Sequence, residues 1–133
     1  VMSIGSWNPD TPETNTIIDP TWLERFIAWA DQDQLHDLSE LMEEQEQQSL
    51  AGLMQRQQSE WLEIAEQFND HQLQSLIRFF TIAENLPGWS AGEKSPVIAL
   101  ARTLRKRGHK MDREFLLWIR EFNDNRFLPY GPL

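Results

Sequence analysis

The stretch EWLEIAEQFNDHQLQSLIRFF, residues 60–80, reads as two helices hinged at a polar joint. Trp61, Ile64, Ala65 and Phe68 fall at i, i+3, i+4 and i+7, and Leu73, Leu76, Ile77 and Phe80 repeat that spacing. Each half therefore carries one continuous apolar stripe, as an amphipathic helix packed on a core requires. Between them Asn69 and Asp70 are residues that end one helix and cap the next. Phe79, Ile82 and Leu86 widen the second stripe, so that helix is expected at the centre of the fold. Weaker copies of the pattern stand on both sides, around Trp22, Leu35 and Leu38 before it and Phe115 and Phe122 after it.

Working outward, residues 19–31 form the first expected helix. Asp19 is its cap, Pro20 suits the first helical position, and Trp22, Phe26, Trp29 and Ala30 make its stripe, widened by Leu23 and Ile27. A second helix is expected after Asp33 with Leu35, Leu38 and Met42 inward, running into the Glu/Gln-rich residues 43–48, whose plain reading is a solvated face. An unbroken helix from Asp33 to Phe68 would be roughly 54 Å long at about 1.5 Å per residue, so a break or bend is expected near Ser49. Pro87 and Gly88 force a turn after the central pair. Ser95 and Pro96 then open a well delimited helix with Val97, Leu100, Ala101 and Leu104 inward and Gly108 as its left-handed stop. The last helix is capped by Asp112, with Phe115, Trp118, Ile119 and Phe122 as its stripe.

No segment sustains period-two alternation, so the fold class is all-α, with five to six helices. Trp22 to Trp61 spans 39 residues and Leu35 to Leu73 spans 38, within the roughly 34–47 residue periods of stacked helix pairs. Two arrangements stay open: antiparallel hairpins stacked as a short solenoid, or an irregular bundle. The expected organisation is an N-terminal arm over residues 1–18, which offers Trp7 as an anchor, a single helical domain over 19–124, and an extended tail over 125–133 that lies back over the domain. Val1 before Met2 suggests that the native start is Met2.

The chain has 133 residues and no cysteine, which excludes thiol catalysis, disulfides and thiolate metal sites. It has neither a long apolar run nor a basic and apolar N-terminal leader, so a cytoplasmic protein without membrane attachment is the expectation. The net charge of −9 is unevenly spread. Residues 1–92 carry three basic against sixteen acidic side chains; residues 93–133 carry nine against five. The acidic majority repels nucleic acid at long range.

The motifs that carry chemistry are missing. His36, His71 and His109 belong to no metal-binding or catalytic pattern. Residues 88–95, GWSAGEKS, fail as a phosphate loop because Glu93 precedes Lys94 and a helix leads in where a strand is needed. No cofactor and no metal is therefore expected, and the chain reads as non-enzymatic. What stands apart is the basic run Arg102, Arg105, Lys106, Arg107, Lys110 and Arg113. Four of the six complement the negative end of their own helix; together they also make a candidate anion or nucleic-acid contact. The turn from Gly108 to Met111 has helix-turn-helix spacing, but the following helix is crowded with apolar residues and keeps Glu114 and Glu121 among its few polar groups, which argues against base reading. Trp89, Lys94 and Tyr130 are candidate contacts to a protein partner, with Trp89 also suited to the core. The functional expectation is a protein-binding adaptor or regulatory domain, with a nucleic-acid-associated regulator as the alternative.

Overall fold

A computed structural model describes residues 17–125 and residue 128. Seven α-helices follow one another: α1 (Pro20–Asp31), α2 (Leu38–Leu41), α3 (Glu44–Leu50), α4 (Gln58–Ala65), α5 (Asp70–Ala83), α6 (Pro96–Lys106) and α7 (Arg113–Phe122). Single 3-10 turns stand before α2, after α3 and before α6, and there is no strand among the described residues. The arrangement is an irregular helical bundle. Only α5 and α6 pack on each other as chain neighbours; the other main pairings, α1 on α5 and α4 on α6, skip elements and do not follow the neighbour-to-neighbour order of stacked hairpins. The expected period of 38–39 residues therefore does not organise the packing.

The caps explain the boundaries. Asp19 accepts from the Thr21 amide, Asn69 from Gln72, Ser95 from Val97 and Asp112 from Phe115, each satisfying a backbone donor that the first turn leaves open. At the α4–α5 joint Gln72 also returns a side-chain acceptor to the Asn69 amide, closing a capping box. Gly108 takes φ 82°, the left-handed conformation that suits glycine after a helix, and His109 N bonds back to Leu104 O at 2.9 Å. Asp33 does the same work after α1 at φ 57°, which aspartate tolerates better than most residues.

The region between α1 and α4 departs from expectation. The break expected near Ser49 is present, since α3 ends at Leu50 and passes into a 3-10 turn, but before it the chain also has a 3-10 turn, the four-residue α2, and a break at Met42 and Glu43, which are extended. A second break falls at Arg56 and Gln57, also extended. Glu43 with Glu46 and Gln57 with Glu60 form capping boxes there, so the acidic run that reads as continuous helix contains its own start signals. Short pieces let Leu35, Leu38, Met42, Leu50, Leu53 and Met54 all turn inward.

The core is aromatic. Phe26 of α1 stacks on Phe79 of α5 with centroids 3.9 Å apart and planes 6° from parallel. Phe79 also meets Phe80, Trp29 and Trp89, and Phe80 meets Trp61 edge-on at 5.3 Å. Trp22 and Trp29, expected on the α1 stripe, are half-buried, and the Arg25 guanidinium lies over both rings, 4.3 Å and 5.4 Å from their centroids. Helix α5 buries eight residues, as the width of its apolar face predicts. Helix α7 is the exception, for only Ile119 is buried. Among the described residues no helix is long and apolar enough to cross a membrane.

Candidate functional site

The six cations of the basic run do not share one fate. Arg107 is spent inside the fold: its guanidinium donates to Phe68 O at 2.8 Å and Ala65 O at 3.2 Å, and pairs with Asp70 at 3.1 Å. These are the open carbonyls after α4 and the first residue of α5, so Arg107 clamps the joint from across the bundle. This corrects its place among the candidate anion contacts. His109 supports the same joint, with Nδ1 3.7 Å from Asp70 and its ring against Gln74. Arg107→Ala is expected to cost about 2 kcal/mol, the scale of charge-assisted bonds to carbonyls left without a donor; chemical denaturation reads it as a lower midpoint.

The other five cations face solvent. Arg102, Arg105 and Lys106 sit at i, i+3 and i+4 and form the outer face of α6, whose inner face buries Val97, Leu100, Ala101 and Leu104. Lys110 in the turn and Arg113 at the start of α7 are exposed as well, with exposed Asp112 between them in sequence. None of the five has an ion-pair partner among the described residues. Helix α7 meanwhile leaves apolar surface uncovered. Leu117 is 47% exposed and Phe122 44%, while Phe115, Leu116 and Trp118 are half-buried. Phe115, Trp118 and Phe122 form a row with ring centroids 6.1 Å and 5.1 Å apart. The expected four-point stripe of α7 is thus present, but it is only partly used by the core.

The three candidate partner contacts fare differently. Trp89 is fully buried, packed edge-on against Phe79, with its indole N–H donating to Gln47 O at 3.0 Å. It anchors the loop after α5 to α3 and presents no surface to a partner, because the large ring is worth more against the aromatic core. Lys94 is exposed at the end of the 3-10 turn before α6. Tyr130 lies outside the described residues.

One group escaped the reading of the sequence. Glu84, directly after α5, is 7% exposed and accepts from the Ser95 hydroxyl at 2.5 Å. Burial pushes its carboxyl up to about 7, against hydrogen bonds from Ser95, Asn125 and Asn123 that favour the ionised form. The signal was in the periodicity: Glu84 stands four residues after Phe80, on the inward stripe. By contrast Glu60, held by the Arg56 guanidinium and the Gln57 amide, sits below the usual carboxylate range.

Among the described residues no three of His, Cys, Asp or Glu converge as metal ligands. His71 pairs with Asp31 at 3.1 Å and Asp31 accepts from Ser75 at 2.5 Å, tying the end of α1 to α5. Two shallow grooves, of about 230 and about 250 Å³, lie beside Ile17 and Ile64 and beside Trp22 and Leu50; the second is lined also by Gln45, Glu46 and Ser49, and no histidine lines either. Comparison with protein-family models, curated proteins and solved structures finds no match. The class of molecule is thus given by its own geometry: an irregular all-α bundle with a basic corner and an incompletely covered terminal helix.

Proposed function

We propose that the protein is a non-enzymatic binding domain that holds another protein against its α6–α7 side. The partner contributes acidic side chains to Arg102, Arg105, Lys106, Lys110 and Arg113, and apolar side chains to Leu117, Trp118 and Phe122. One observation carries the reading: five solvent-facing cations without ion-pair partners among the described residues lie on α6, in the turn after it and on the first residue of α7, a helix whose apolar stripe is half out of the core. Aromatic residues ringed by cations are the composition of energetically productive protein interfaces. The strong acidity of residues 1–92 adds orientation, since an acidic partner is repelled by the rest of the molecule and attracted only to this corner.

A photo-crosslinking residue at Leu117 tests this in cells of the host. A discrete adduct is expected at Leu117, lost when Arg102, Arg105 and Lys106 are changed to Glu, and missing from a control position at Glu24 on α1. The same adducts at both positions, or none at Leu117, would refute it.

The same five cations favour a second reading, contact with a nucleic-acid backbone. The outward polar residues of α7 include Glu114 and Glu121, which places acids where bases would be read. Gel shift over a salt series separates the two, because phosphate contacts make affinity fall steeply as salt rises. No shift at low salt ends the nucleic-acid reading.

A further inference from the structure

We propose that Glu84 and residues 123–125 form a protonation-dependent clasp, closed on the neutral carboxyl and loosened by its ionisation, which sets how firmly α7 is held on the bundle. The inference stands apart from the proposed binding face, because it concerns the attachment of α7 and not its outer surface. Its basis is where the end of α7 is fastened, since Ile119 is the one fully buried side chain of the helix while Phe115, Leu116 and Trp118 pack only partly on the core.

Helix α7 buries Ile119 alone. Its C-terminal end is fastened by polar contacts that converge on one place. Asn85 Nδ2 donates to Phe122 O at 2.7 Å and Asn123 Nδ2 to Thr81 O at 3.1 Å, both joining α7 to the last turn of α5. Asn125 Nδ2 donates to Gly92 O at 2.9 Å, and its amide bonds the Asn123 side chain at 2.8 Å. Asn123 and Asn125 then both bond the Glu84 carboxyl, which Ser95 holds from the start of α6. The next described residue, Leu128, is buried and bonds back to Asn125 O at 3.1 Å, so its seat depends on the same segment.

A carboxyl in this position is a poor place for a charge. It follows the C-terminus of α5, whose dipole disfavours an anion, and Ser95 at the α6 N-terminus offsets this in part. The charged side chains nearest in sequence on the surrounding elements are Arg78 on α5, Glu93 and Lys94 on the 3-10 turn, Arg102 on α6, Arg120 and Glu121 on α7, and Asp124 on the clasp itself. The Glu84 carboxyl is governed by burial and by its hydrogen bonds to Ser95, Asn125 and Asn123. Opening the clasp returns the carboxyl to water. With the closed-state value at about 7, the opening equilibrium should rise about tenfold per pH unit from about 4.5 to about 7 and level off above.

Hydrogen exchange on the whole protein, corrected for intrinsic rates and followed from about pH 5 to about pH 8, tests this. The α7 amides should exchange through an opening less costly than global unfolding, and that opening should grow more than tenfold by about pH 7.5. In Glu84→Gln, which mimics the neutral form, the pH dependence should vanish. Asn125→Ala leaves the carboxyl but cuts the clasp, and should raise α7 opening already at about pH 5. The proposal is overturned if α7 opens without pH dependence while α5 shows it, if α7 opens only with the whole bundle, or if Glu84→Gln keeps the wild-type slope.

Discussion

Phe79→Ala should lower the stability of the bundle by about 4 kcal/mol, the scale of large-to-small substitutions of buried aromatics. Phe79 is fully buried and meets Phe26, Trp29, Phe80 and Trp89, so its removal opens a cavity where α1, α5 and the loop after α5 come together. Rigid rings on every side leave little capacity to collapse into the space. A domain of this size has only about 5–15 kcal/mol to lose, so the variant should sit near the edge of folding. The expected result is a large fall in the urea midpoint with the slope unchanged. Phe122→Ala is the matched control: with the ring 44% exposed, its loss should stay within about 1 kcal/mol. Equal losses at the two positions would contradict the packing described here.

Stability should also fall as pH rises from about 4.5 to about 7, through Glu84. Its folded-state value lies above the unfolded one, so the native protein binds the proton more tightly and is favoured at low pH. The contribution is fully present below about 4.5 and lost as pH rises through about 7. A displacement of this size corresponds to about 3 kcal/mol. The group is almost completely buried, so solvent screening removes little of that. Glu84→Gln should remove this component, leaving the variant more stable than wild type above about pH 7 and no more stable below about 4.5. Denaturation at matched pH values, read as the difference between the two proteins, cancels the other titrating groups. A difference that does not vary with pH would sink the assignment.

Much of the architecture was legible because helix signals are local. Asp19 and Pro20, Asn69, Ser95 and Pro96, and Gly108 mark boundaries through capping chemistry that needs no tertiary information. Phe79 was legible only as a widening of the α5 stripe; that it stacks on Phe26 is a fact of long-range packing. Residues 35–57 were legible only in part: the end of a helix near Ser49 and the inward Leu35, Leu38 and Met42 follow from the pattern, but good helix formers conceal two extended breaks, and the capping boxes of Glu43 and Gln57 use residues equally at home inside a helix.

The candidate site divides along the same line. That α6 carries its cations on one outer face follows from their i, i+3, i+4 spacing, whereas the capture of Arg107 by carbonyls of the α4–α5 joint depends on contacts 39 and 42 residues away in sequence. Trp89 could go either way from sequence, since an indole suits core and interface alike. Glu84 was passed over because a carboxylate is expected outside, and only Ser95, Asn123 and Asn125 together make its burial tolerable.

Hydroxyl-radical footprinting read by mass spectrometry bears most directly on the claim that the aromatic side chains of α4 and α5 and Trp89 are consumed by the bundle and surplus apolar surface is left on α7. Trp118 and Phe122 should be oxidised several-fold faster than Trp61, Phe79 and Trp89. Oxidation of Trp61 or Trp89 as fast as that of Trp118 would mean that the rings assigned to the core are open to solvent, and that the terminal helix is no more available to a partner than the rest of the molecule.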